Sequence, residues 1–582
     1  MTLLGRHSWL VANARLVVFV AATALGIAAL LGKVGAWAPY GVAAAALAYV
    51  VLIFVHRGVD DRERRGRAAV AYDDRLLSRV GGTWQTAPRD GKAYAPPGHP
   101  YARDLDIFGQ ASLFQLLNET PTRSGEERLA TWLASPADPK TIQIRQGAVK
   151  ALAPRLAFRR ELAVAAAAEG DDKVDPAALV RWAGDGSVGL TAIRWARWLP
   201  YVLVPLTLLT YLASREGWVP RLVPIAAFLV QLLVAGAVRG ALARFFVSIA
   251  IADRSLGRLR QTFARLETEA FEEAHLLELR RGGSGTLPAS RALAKLDFWY
   301  GFAEARRSQL GPVLNVLLLW DLVMLFRISD WRDRFGGQAA AWVSGLAEIE
   351  ALCALAGFAA EHPAAVFPEI ESREPLVSAR GLAHPLLEAA VANDVDIRGS
   401  GHALLLTGSN MSGKSTLLRA IGVNVVLALA GAPVIAQSMR VAVLQLATSM
   451  RVEDSLERGV SFFYAEVQRL KLVLDLARDH AGACLFLLDE LLLGTNTRER
   501  QLASREIVGR LLETGAIGVI TTHDLDLTTL EAETQGRVVN AHFRDQLAEG
   551  KMAFDYKLRP GVVDTTNALK VLELAGITVR AR

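Results

Sequence analysis

Two long apolar segments without a charged side chain occupy most of the first 55 residues. Residues 16–32 and 36–55 contain 17 and 20 residues. Each can cross a hydrocarbon core of about 30 Å as a helix rising ~1.5 Å per residue. The loop between them carries only Lys33, whereas the outer flanks carry seven arginines. The positive-inside rule therefore predicts a transmembrane hairpin with both ends in the cytoplasm. A secretory signal peptide is the alternative.

A second pair of apolar segments lies at residues 199–213 and 219–238. Trp195, Trp198 and Trp218 stand at its edges, where interfacial aromatic side chains are favoured. Arginines are more numerous outside the pair than in its turn, which predicts a second hairpin in the same orientation. A buried helical pair in a soluble domain is the alternative.

The two pairs predict contact with a lipid bilayer through residues 16–55 and 199–238, in a multi-pass protein of the cell (inner) membrane. A third apolar run at residues 313–326 contains only 14 residues and includes Asp321. Because a span needs about 20 apolar residues, we expect this run to form a core helix instead.

Helical periodicity dominates the chain between the apolar pairs and after them. Residues 82–104 are rich in glycine and proline, which indicates a linker. Apolar residues then recur three and four positions apart as far as about residue 168. Residues 243–281 predict one long amphipathic helix, and further helix is expected up to about residue 360.

The pattern changes after residue 400, where short apolar strands alternate with helical stretches. The strands are predicted at Ala403–Thr407, 484–488 and 518–521. This alternation is typical of a parallel sheet flanked by helices.

Composition supports a chain with membrane segments attached to globular parts. Hydrophobic residues make up 52% of the 582 residues, charged residues 21%, and the mean hydropathy is +0.25. Cys353 and Cys484 cannot form a disulfide framework and lack metal-ligand spacing. Residues 1–67 account for +5 of the net charge of +6, so bulk charge gives no evidence for a DNA-binding groove.

The stretch TGSNMSGKST contains the spacing of a phosphate-binding loop, GxxxxGK[ST], between a predicted strand and a predicted helix. Gly408 and Gly413 allow the tight turn that points backbone N–H groups at phosphate oxygens. Lys414 is expected to reach the β- and γ-phosphates of ATP, and the Ser415 hydroxyl is expected to bind Mg²⁺.

Two further strands end in residues that complete such a site. In CLFLLDE, Asp489 is expected to hold the Mg²⁺ shell and Glu490 to polarise the attacking water. His523 follows the strand in VITTHD and is expected to sense the γ-phosphate. A structural histidine is the alternative for His523.

These motifs resemble the MutS family of DNA mismatch-repair ATPases. TGSNMSGKST is similar to that family's TGPNMGGKST loop, and LLDELLLGTNTRE is similar to its DE-x-x-x-GTST signature. RVEDSLERGVSFFYAEV, TTHD and the upstream segments at 112–152 and GLAHPLL also resemble family segments. The resemblance implies nucleotide contacts from Gly408, Ser409, Asn410, Met411, Ser412, Gly413, Lys414, Ser415 and Thr416. It further implies that Thr495 and Thr497 contact the nucleotide of the opposite subunit, and hence a homodimer.

The chain departs from the family pattern at its N-terminus. A membrane hairpin stands where the mismatch-recognition domain is expected, so the chain resembles a membrane-associated MutS-like branch. Ser409 and Ser412 replace a proline and a glycine of the family loop.

The predicted fold is multidomain, with an N-terminal transmembrane hairpin, an α-helical core or lever containing a second membrane hairpin, and a C-terminal α/β P-loop (ABC-like) ATPase domain. The predicted segments are the hairpin with its basic cytoplasmic flank (1–67), a linker (68–104), the first part of the helical core (105–194), the second hairpin (195–240), the core or lever (241–375) and the MutS-type ATPase (376–582).

Three functions are compatible with these features. The leading hypothesis is a membrane-anchored, dimeric, Mg²⁺-dependent ATPase that clamps DNA, with the ATPase in the cytoplasm. The second is a nucleotide-gated membrane scaffold for protein partners, which the near-neutral charge outside residues 1–67 favours. The third is an ABC-type transporter, disfavoured because no LSGGQ-like signature lies between Lys414 and Asp489.

Overall fold

The computed structural model describes residues 3–30, 33–35, 37–167, 175–184, 190–282, 287–304, 311–409, 411–451, 462–492, 496–548 and 551–562. Within these residues the chain is rich in helix and carries its two sheets in the last 220 residues or so. The helices are α1 (Leu3–Leu30), α2 (Ala38–Val80), α3 (Leu113–Leu117), α4 (Arg123–Ala134), α5 (Pro139–Leu152), α6 (Leu156–Ala166), α7 (Ala177–Gly184), α8 (Leu199–Arg215), α9 (Leu222–Thr268), α10 (Ala274–Arg281), α11 (Ala289–Glu304), α12 (Gly311–Leu318), α13 (Trp320–Glu361), α14 (Lys414–Ala430), α15 (Phe462–Asp479), α16 (Thr497–Glu513) and α17 (Leu530–Glu533).

The strands are β1 (Glu369–Glu371), β2 (Leu376–Leu382), β3 (Asn393–Arg398), β4 (Ala403–Thr407), β5 (Ser438–Ala442), β6 (Gln445–Ser449), β7 (Cys484–Asp489), β8 (Ile517–Thr522), β9 (Val538–Ala548) and β10 (Lys551–Pro560). The three strands predicted from the sequence correspond to β4, β7 and β8, with ends that differ by at most one residue.

A six-stranded sheet in the order β10-β9-β4-β8-β7-β6 carries the phosphate-binding loop. Its strands are parallel except β10, which pairs antiparallel with β9 at one edge. Every residue of β4 and β8 is buried, as expected for parallel strands covered by helices on both faces. The predicted parallel sheet is therefore confirmed, and its carboxyl edge brings the ends of β4, β7 and β8 together.

A smaller sheet in the order β1-β5-β2-β3 lies beside the parallel one. Strands β2 and β3 pair antiparallel, as do β2 and β5, and β1 pairs parallel with β5. Asn393, at the start of β3, donates from its side chain to Tyr556 O at 2.9 Å and accepts from Leu558 N at 2.8 Å. These two bonds join the smaller sheet to β10 of the larger one.

Helix α2 differs from the sequence prediction because it extends through the expected start of the linker. It runs for 43 residues to Val80 without a break, so residues 68–80 are helical. No glycine or proline interrupts the polar part after Gly66 until Gly81, and arginine–carboxylate pairs such as Arg64–Asp61 support it. Beyond the helix, Trp84 and Tyr101 are buried in the core, so the expected linker is packed structure.

Helix α9 also crosses an expected boundary, since its 47 residues join the second apolar pair to the helical core. The predicted amphipathic helix at 243–281 is consequently divided between the second half of α9 and the separate α10. The second helix of each apolar pair, α2 or α9, therefore continues beyond the apolar residues and packs against α6 of the core.

Three helices of the described chain are long and apolar enough to cross a membrane, over Arg194–Arg215, Leu222–Val247 and Trp320–Glu361. A shorter apolar helical stretch lies at Trp9–Leu25 in α1. The apolar windows of the first two are only 17% and 11% buried, whereas that of Trp320–Glu361 is 72% buried. The last helix is therefore a core helix, as expected for residues 320–326. The predicted single helix over 313–326 is wrong, because the left-handed Leu319 separates α12 from α13, and Leu317 and Leu318 at the end of α12 are exposed.

Candidate nucleotide-binding site

The phosphate-binding loop connects β4 to the N-terminus of α14 in the context predicted for it. Gly408 has a φ of 148° and Gly413 a φ of 105°, conformations that side-chain-bearing residues rarely adopt. A Cβ atom on Gly408 would lie 2.9 Å from Ser412 Oγ and 3.1 Å from Phe543 O. Met411, at the tip, also has a positive φ and is 82% exposed. Asn410 lies outside the described residues.

The Lys414 side chain is buried beneath this loop. Its Nζ atom donates to Gly408 O at 2.9 Å and to Ser409 O at 2.8 Å, and lies 3.2 Å from His523 Nε2. The nearby Ser412 Oγ is buried without a hydrogen-bond partner among the described residues. A buried ammonium and an unpartnered hydroxyl at a helix N-terminus form a polar cradle that suits a phosphate group.

The carboxylates predicted at the end of β7 adopt distinct positions. Asp489 accepts a hydrogen bond of 2.5 Å from the Thr521 hydroxyl, which fixes its carboxylate at the carboxyl edge of the sheet. Glu490 has a φ of 52° and donates from its backbone N–H to Thr521 O at 3.2 Å. Its Oε1 atom lies 2.7 Å from His523 Nε2.

Sheet order explains why His523 reaches both partners. Strand β8, which His523 follows, lies between β4 and β7. The ring therefore stands between Lys414, after β4, and Glu490, after β7, and its Nε2 atom contacts both. The three predicted catalytic side chains thus form one connected group.

A cavity of about 390 Å³ adjoins this group and is lined by Met411, Ser412, Gly413, Lys414, Ser415, Thr416 and Glu490. This volume is within the range of small-ligand pockets, roughly 300–1,000 Å³. Another part of its wall is formed by residues for which the motifs gave no site prediction: Leu382, His384, Leu387, Val391, Asn393, Phe543 and Tyr556. These residues are far apart in the sequence, so no local pattern predicts that they share a cavity. The one available signal was the family segment GLAHPLL, which contains Leu382, His384 and Leu387.

His384 gives that wall an uncharged imidazole. Burial, with the nearby positive charge of Arg419 as a smaller cause, lowers the pKa of His384 to about 4. Its Nδ1 atom accepts from Leu386 N at 3.2 Å. The ring is therefore neutral near pH 7 and, with Leu382 and Phe543, offers a surface suited to an apolar or aromatic group rather than to phosphate.

Mg²⁺ fits the site as an ion shared between protein and phosphate oxygens. Among the described residues, no three His, Cys, Asp or Glu side chains form a group that could hold a metal ion. Mg²⁺ typically uses one or two protein oxygens, several waters and substrate phosphates. Ser415 in the cavity and Asp489 at the edge of the sheet are donors of the required kind.

The predicted signature for the opposite subunit does not reach this cavity in the described chain. Thr495 lies outside the described residues. Thr497 is the first residue of α16, is exposed, and does not line the cavity. Its helix is capped by Asn496, whose side chain accepts from Glu499 N at 3.0 Å. Of the other motif segment, residues 452–461 lie outside the described residues, whereas the buried Glu466 accepts from Leu492 N at 2.5 Å.

The parallel sheet, the glycine-bounded loop and the two acidic residues after a neighbouring strand define a P-loop nucleotide-binding protein. A family model described as MutS domain V matches residues 404–581. This part of the chain is therefore a MutS-type domain, in agreement with the relatives below.

Similar proteins include a DNA mismatch repair protein MutS of Shouchella clausii, 34% identical over 255 residues that cover 41% of this chain and 29% of that protein. A MutS of Natronomonas pharaonis is 32% identical over 40% of this chain and 27% of its own length. The DNA mismatch repair protein MSH6 of Arabidopsis thaliana is 33% identical over 257 residues, which cover 40% of this chain and 19% of that protein. The chain thus spans less than a third of the length of these relatives.

Proposed function

We propose that this chain is a membrane-anchored MutS-like ATPase that works as a dimer and clamps DNA in response to ATP. The observation that carries the ATPase assignment is the connected group of Lys414, His523 and Glu490 beneath the phosphate-binding loop. MutS family proteins are ATPases, which supports the same reaction here.

The geometry assigns each side chain a task in hydrolysis. The loop N–H groups and Lys414 bind phosphate oxygens, and Lys414 exchanges the carbonyls of Gly408 and Ser409 for them. Glu490 positions the attacking water and accepts its proton, while His523 holds the carboxylate on the side facing Lys414. Ser415 and Asp489 would hold Mg²⁺, which would supply positive charge against the phosphate oxygens.

Glu490→Gln tests this assignment because it removes the base and preserves the shape of the side chain. We expect ATP turnover to fall by at least ~10²-fold, with ATP binding retained, since general-base catalysis contributes about that much. Glu506→Gln, an exposed position of α16, is the matched control and should turn over ATP at the wild-type rate. Unchanged hydrolysis in Glu490→Gln would overturn the mechanism.

The dimer proposal is supported by the position of Thr497, which is exposed and does not line the cavity of its own chain. A residue in that position can complete the site of a second subunit. Lys414→Ala and Thr497→Arg should each inactivate a homodimer, because one lacks the phosphate-binding lysine and the other obstructs the partner's site. Mixing the two variants should restore turnover, since a mixed dimer retains one intact site. If mixing restores nothing, each site belongs to a single chain.

DNA binding is supported by the family, and the three relatives above are all DNA mismatch repair proteins. The near-neutral charge outside residues 1–67 favours the second candidate, a nucleotide-gated scaffold for protein partners. Binding of the detergent-purified chain to homoduplex, mismatched and branched DNA, with ADP or ATP and across a salt series, separates them. Salt-sensitive binding that responds to nucleotide supports the clamp. No binding at low salt, with ATPase activity intact, supports the scaffold.

Membrane anchoring is supported by the contrast in burial between the apolar helices. The windows over Arg194–Arg215 and Leu222–Val247 leave more than four-fifths of their residues unburied, although both are strongly apolar. Contiguous apolar surface of this extent is costly in water and typical of contact with lipid or another protein. We place both apolar pairs in the cell (inner) membrane, with the ATPase in the cytoplasm.

A further inference from the structure

A second cavity, of about 830 Å³, lies between α8, α9 and the end of α12, far along the chain from the P-loop. Its walls are mainly apolar, from Val204, Leu208, Tyr211, Ile225, Phe228 and Leu317. Arg215 and Arg221 line its end at the turn between α8 and α9. The cavity therefore combines an apolar groove with a basic mouth.

The buried amide of Gln231, in the inner part of the groove, has hydrogen-bond partners within the protein. Gln231 is 1% exposed, and its Nε2 atom donates to Val316 O at 2.6 Å and to Leu317 O at 2.8 Å. Its Oε1 atom accepts from the Thr207 hydroxyl at 3.0 Å. These bonds satisfy two of the last carbonyls of α12, which ends before the left-handed Leu319. The occupant of the inner groove is consequently apolar.

The mouth of the groove carries positive charge. Arg215 and Arg221 are exposed, and no carboxylate of the described residues forms an ion pair with either of them. Glu216, the acidic residue of the same turn, does not line the cavity. In the proposed orientation this turn is on the side of the membrane opposite the ATPase, where the positive-inside rule disfavours arginine. A bound phosphate would explain why two arginines are present at this turn, since arginine is well suited to phosphate recognition.

We propose that this groove binds one anionic glycerophospholipid of the bilayer, with an acyl chain along α8 and α9 and the headgroup phosphate between Arg215 and Arg221. The inference rests on the proposed insertion of α8 and α9 into the membrane. Its volume falls within the range of small-molecule sites, roughly 300–1,000 Å³, which is enough to take part of one lipid but not several. Basic pockets between membrane helices are known to bind anionic headgroups.

The test is native mass spectrometry of the full-length chain in a neutral detergent, with equimolar dioleoyl-phosphatidylglycerol and dioleoyl-phosphatidylcholine. We expect one retained phosphatidylglycerol per chain, preferred on the order of tenfold, because each arginine near a headgroup contributes about 1 kcal/mol. The double variant Arg215→Gln/Arg221→Gln should lose this preference. Arg239→Gln, an exposed arginine at the opposite end of the pair, should keep it.

A second pair of variants tests the groove without changing charge. Leu208→Trp fills the groove and should abolish retention of either lipid, whereas Leu209→Trp, at an exposed neighbour that does not line it, should retain phosphatidylglycerol. ATP turnover at the wild-type rate shows that each variant is folded. Equal retention of the two lipids, or retention unaffected by Leu208→Trp, would overturn the proposal.

Alkaline extraction of membranes that contain the wild-type chain separates the two proposals. If the chain is released, membrane insertion itself is wrong, and the lipid site falls with it. If the chain stays in the membrane but shows no preference for phosphatidylglycerol, the lipid site alone is wrong.

Discussion

Two glycines determine whether the loop after β4 can bend around a phosphate group. Gly408 and Gly413 have positive φ angles, and Cβ atoms on them would meet Ser412 and Tyr556, respectively. The loop carbonyls of Gly408 and Ser409 also hold the Lys414 ammonium. The position of the Lys414 charge therefore depends on the backbone conformation of the loop, through the carbonyls of Gly408 and Ser409.

Gly408→Ala should therefore weaken ATP binding. The new methyl group would lie 2.9 Å from Ser412 Oγ and 3.1 Å from Phe543 O, at a φ that alanine rarely adopts. We expect a loss of roughly 1–3 kcal/mol, the usual cost of such backbone strain, which is about 5- to 150-fold in Kd. Titration with a fluorescent ATP analogue measures it. Gly509→Ala, in the middle of α16 with open space around it, should bind nucleotide normally.

The neutral imidazole of His384 predicts a pH dependence of stability. Its pKa is lowered from an ordinary 6.5 to about 4 by burial. Between these values the unfolded chain binds a proton that the folded chain does not, so stability falls as the pH falls from about 6.5 towards 4. At pH 5 this amounts to about 2 kcal/mol.

The midpoint of heat unfolding at pH 7 and pH 5 checks this prediction. His384→Gln should show a smaller decrease between the two pH values than the wild-type chain. His480→Gln, at an exposed position after α15, should behave as the wild type does. An identical decrease in the wild type and His384→Gln would contradict the assignment to this ring.

At the scale of elements, the two longest apolar-to-polar helices connect the expected membrane pairs to the core. Helix α2 ends in a buried ionic cluster in which Arg79 pairs with Glu119 and, at 2.7 Å, with Glu361 at the end of α13. Arg159 of α6 lies 3.6 Å from the same Glu119 carboxylate. These ion pairs join the end of α2 to the end of α13 and to α6.

Arg79→Met should separate these helices. The change keeps the length of the side chain and leaves Glu119 and Glu361 without their shared partner in a buried site. Breaking a buried ion pair from one side typically costs about 3–5 kcal/mol. We expect a lower unfolding midpoint and faster proteolytic cleavage within residues 82–104, which follow α2.

The matched control is Arg67→Met in the same helix. Arg67 pairs with Glu63, but its side chain is 71% exposed, and exposed pairs contribute only about 0–1 kcal/mol. Equal sensitivity of the two variants to protease would show that the cluster does not hold α2 in place.

At the scale of the whole molecule, helices between residues 241 and 361 connect the second apolar pair to the sheet of the P-loop domain, and the apolar surface of the pair remains exposed. The exposed apolar surface of α8 and α9 contrasts with the buried apolar surface of α13, although all three have the composition of a membrane span. This contrast favours insertion of α8 and α9 and the retention of α13 in the protein interior.

Labelling of introduced cysteines with a membrane-impermeant maleimide tests the resulting topology. Cys353 and Cys484 are buried, and burial raises the pKa of each thiol to about 12, so the native background should be low. In spheroplasts, Glu216→Cys, in the turn after α8, should be labelled. Gly66→Cys, on the cytoplasmic part of α2, should react only after the membrane is permeabilised. The reverse result would invert the orientation.

Sequence alone predicted the residues of the nucleotide-binding site because their signals are local. Gly408, Gly413 and Lys414 lie within a single loop, so their spacing is visible in the sequence. The buried strands β7 and β8 are short apolar runs, and Asp489 ends the first while His523 follows the second. The same local hydropathy marked the apolar pairs, but for residues 199–238 it left both a membrane hairpin and a buried helical pair open.

Tertiary structure decided which distant residues meet at those motifs. His523 contacts both Lys414 and Glu490 only because β8 lies between β4 and β7, an order that no local pattern encodes. Likewise, His384 and Tyr556 reach the P-loop cavity from segments more than 150 residues apart. Packing between distant segments determines such contacts, because the apolar surface that stabilises the fold is buried by strands and helices together and not by any single stretch of sequence.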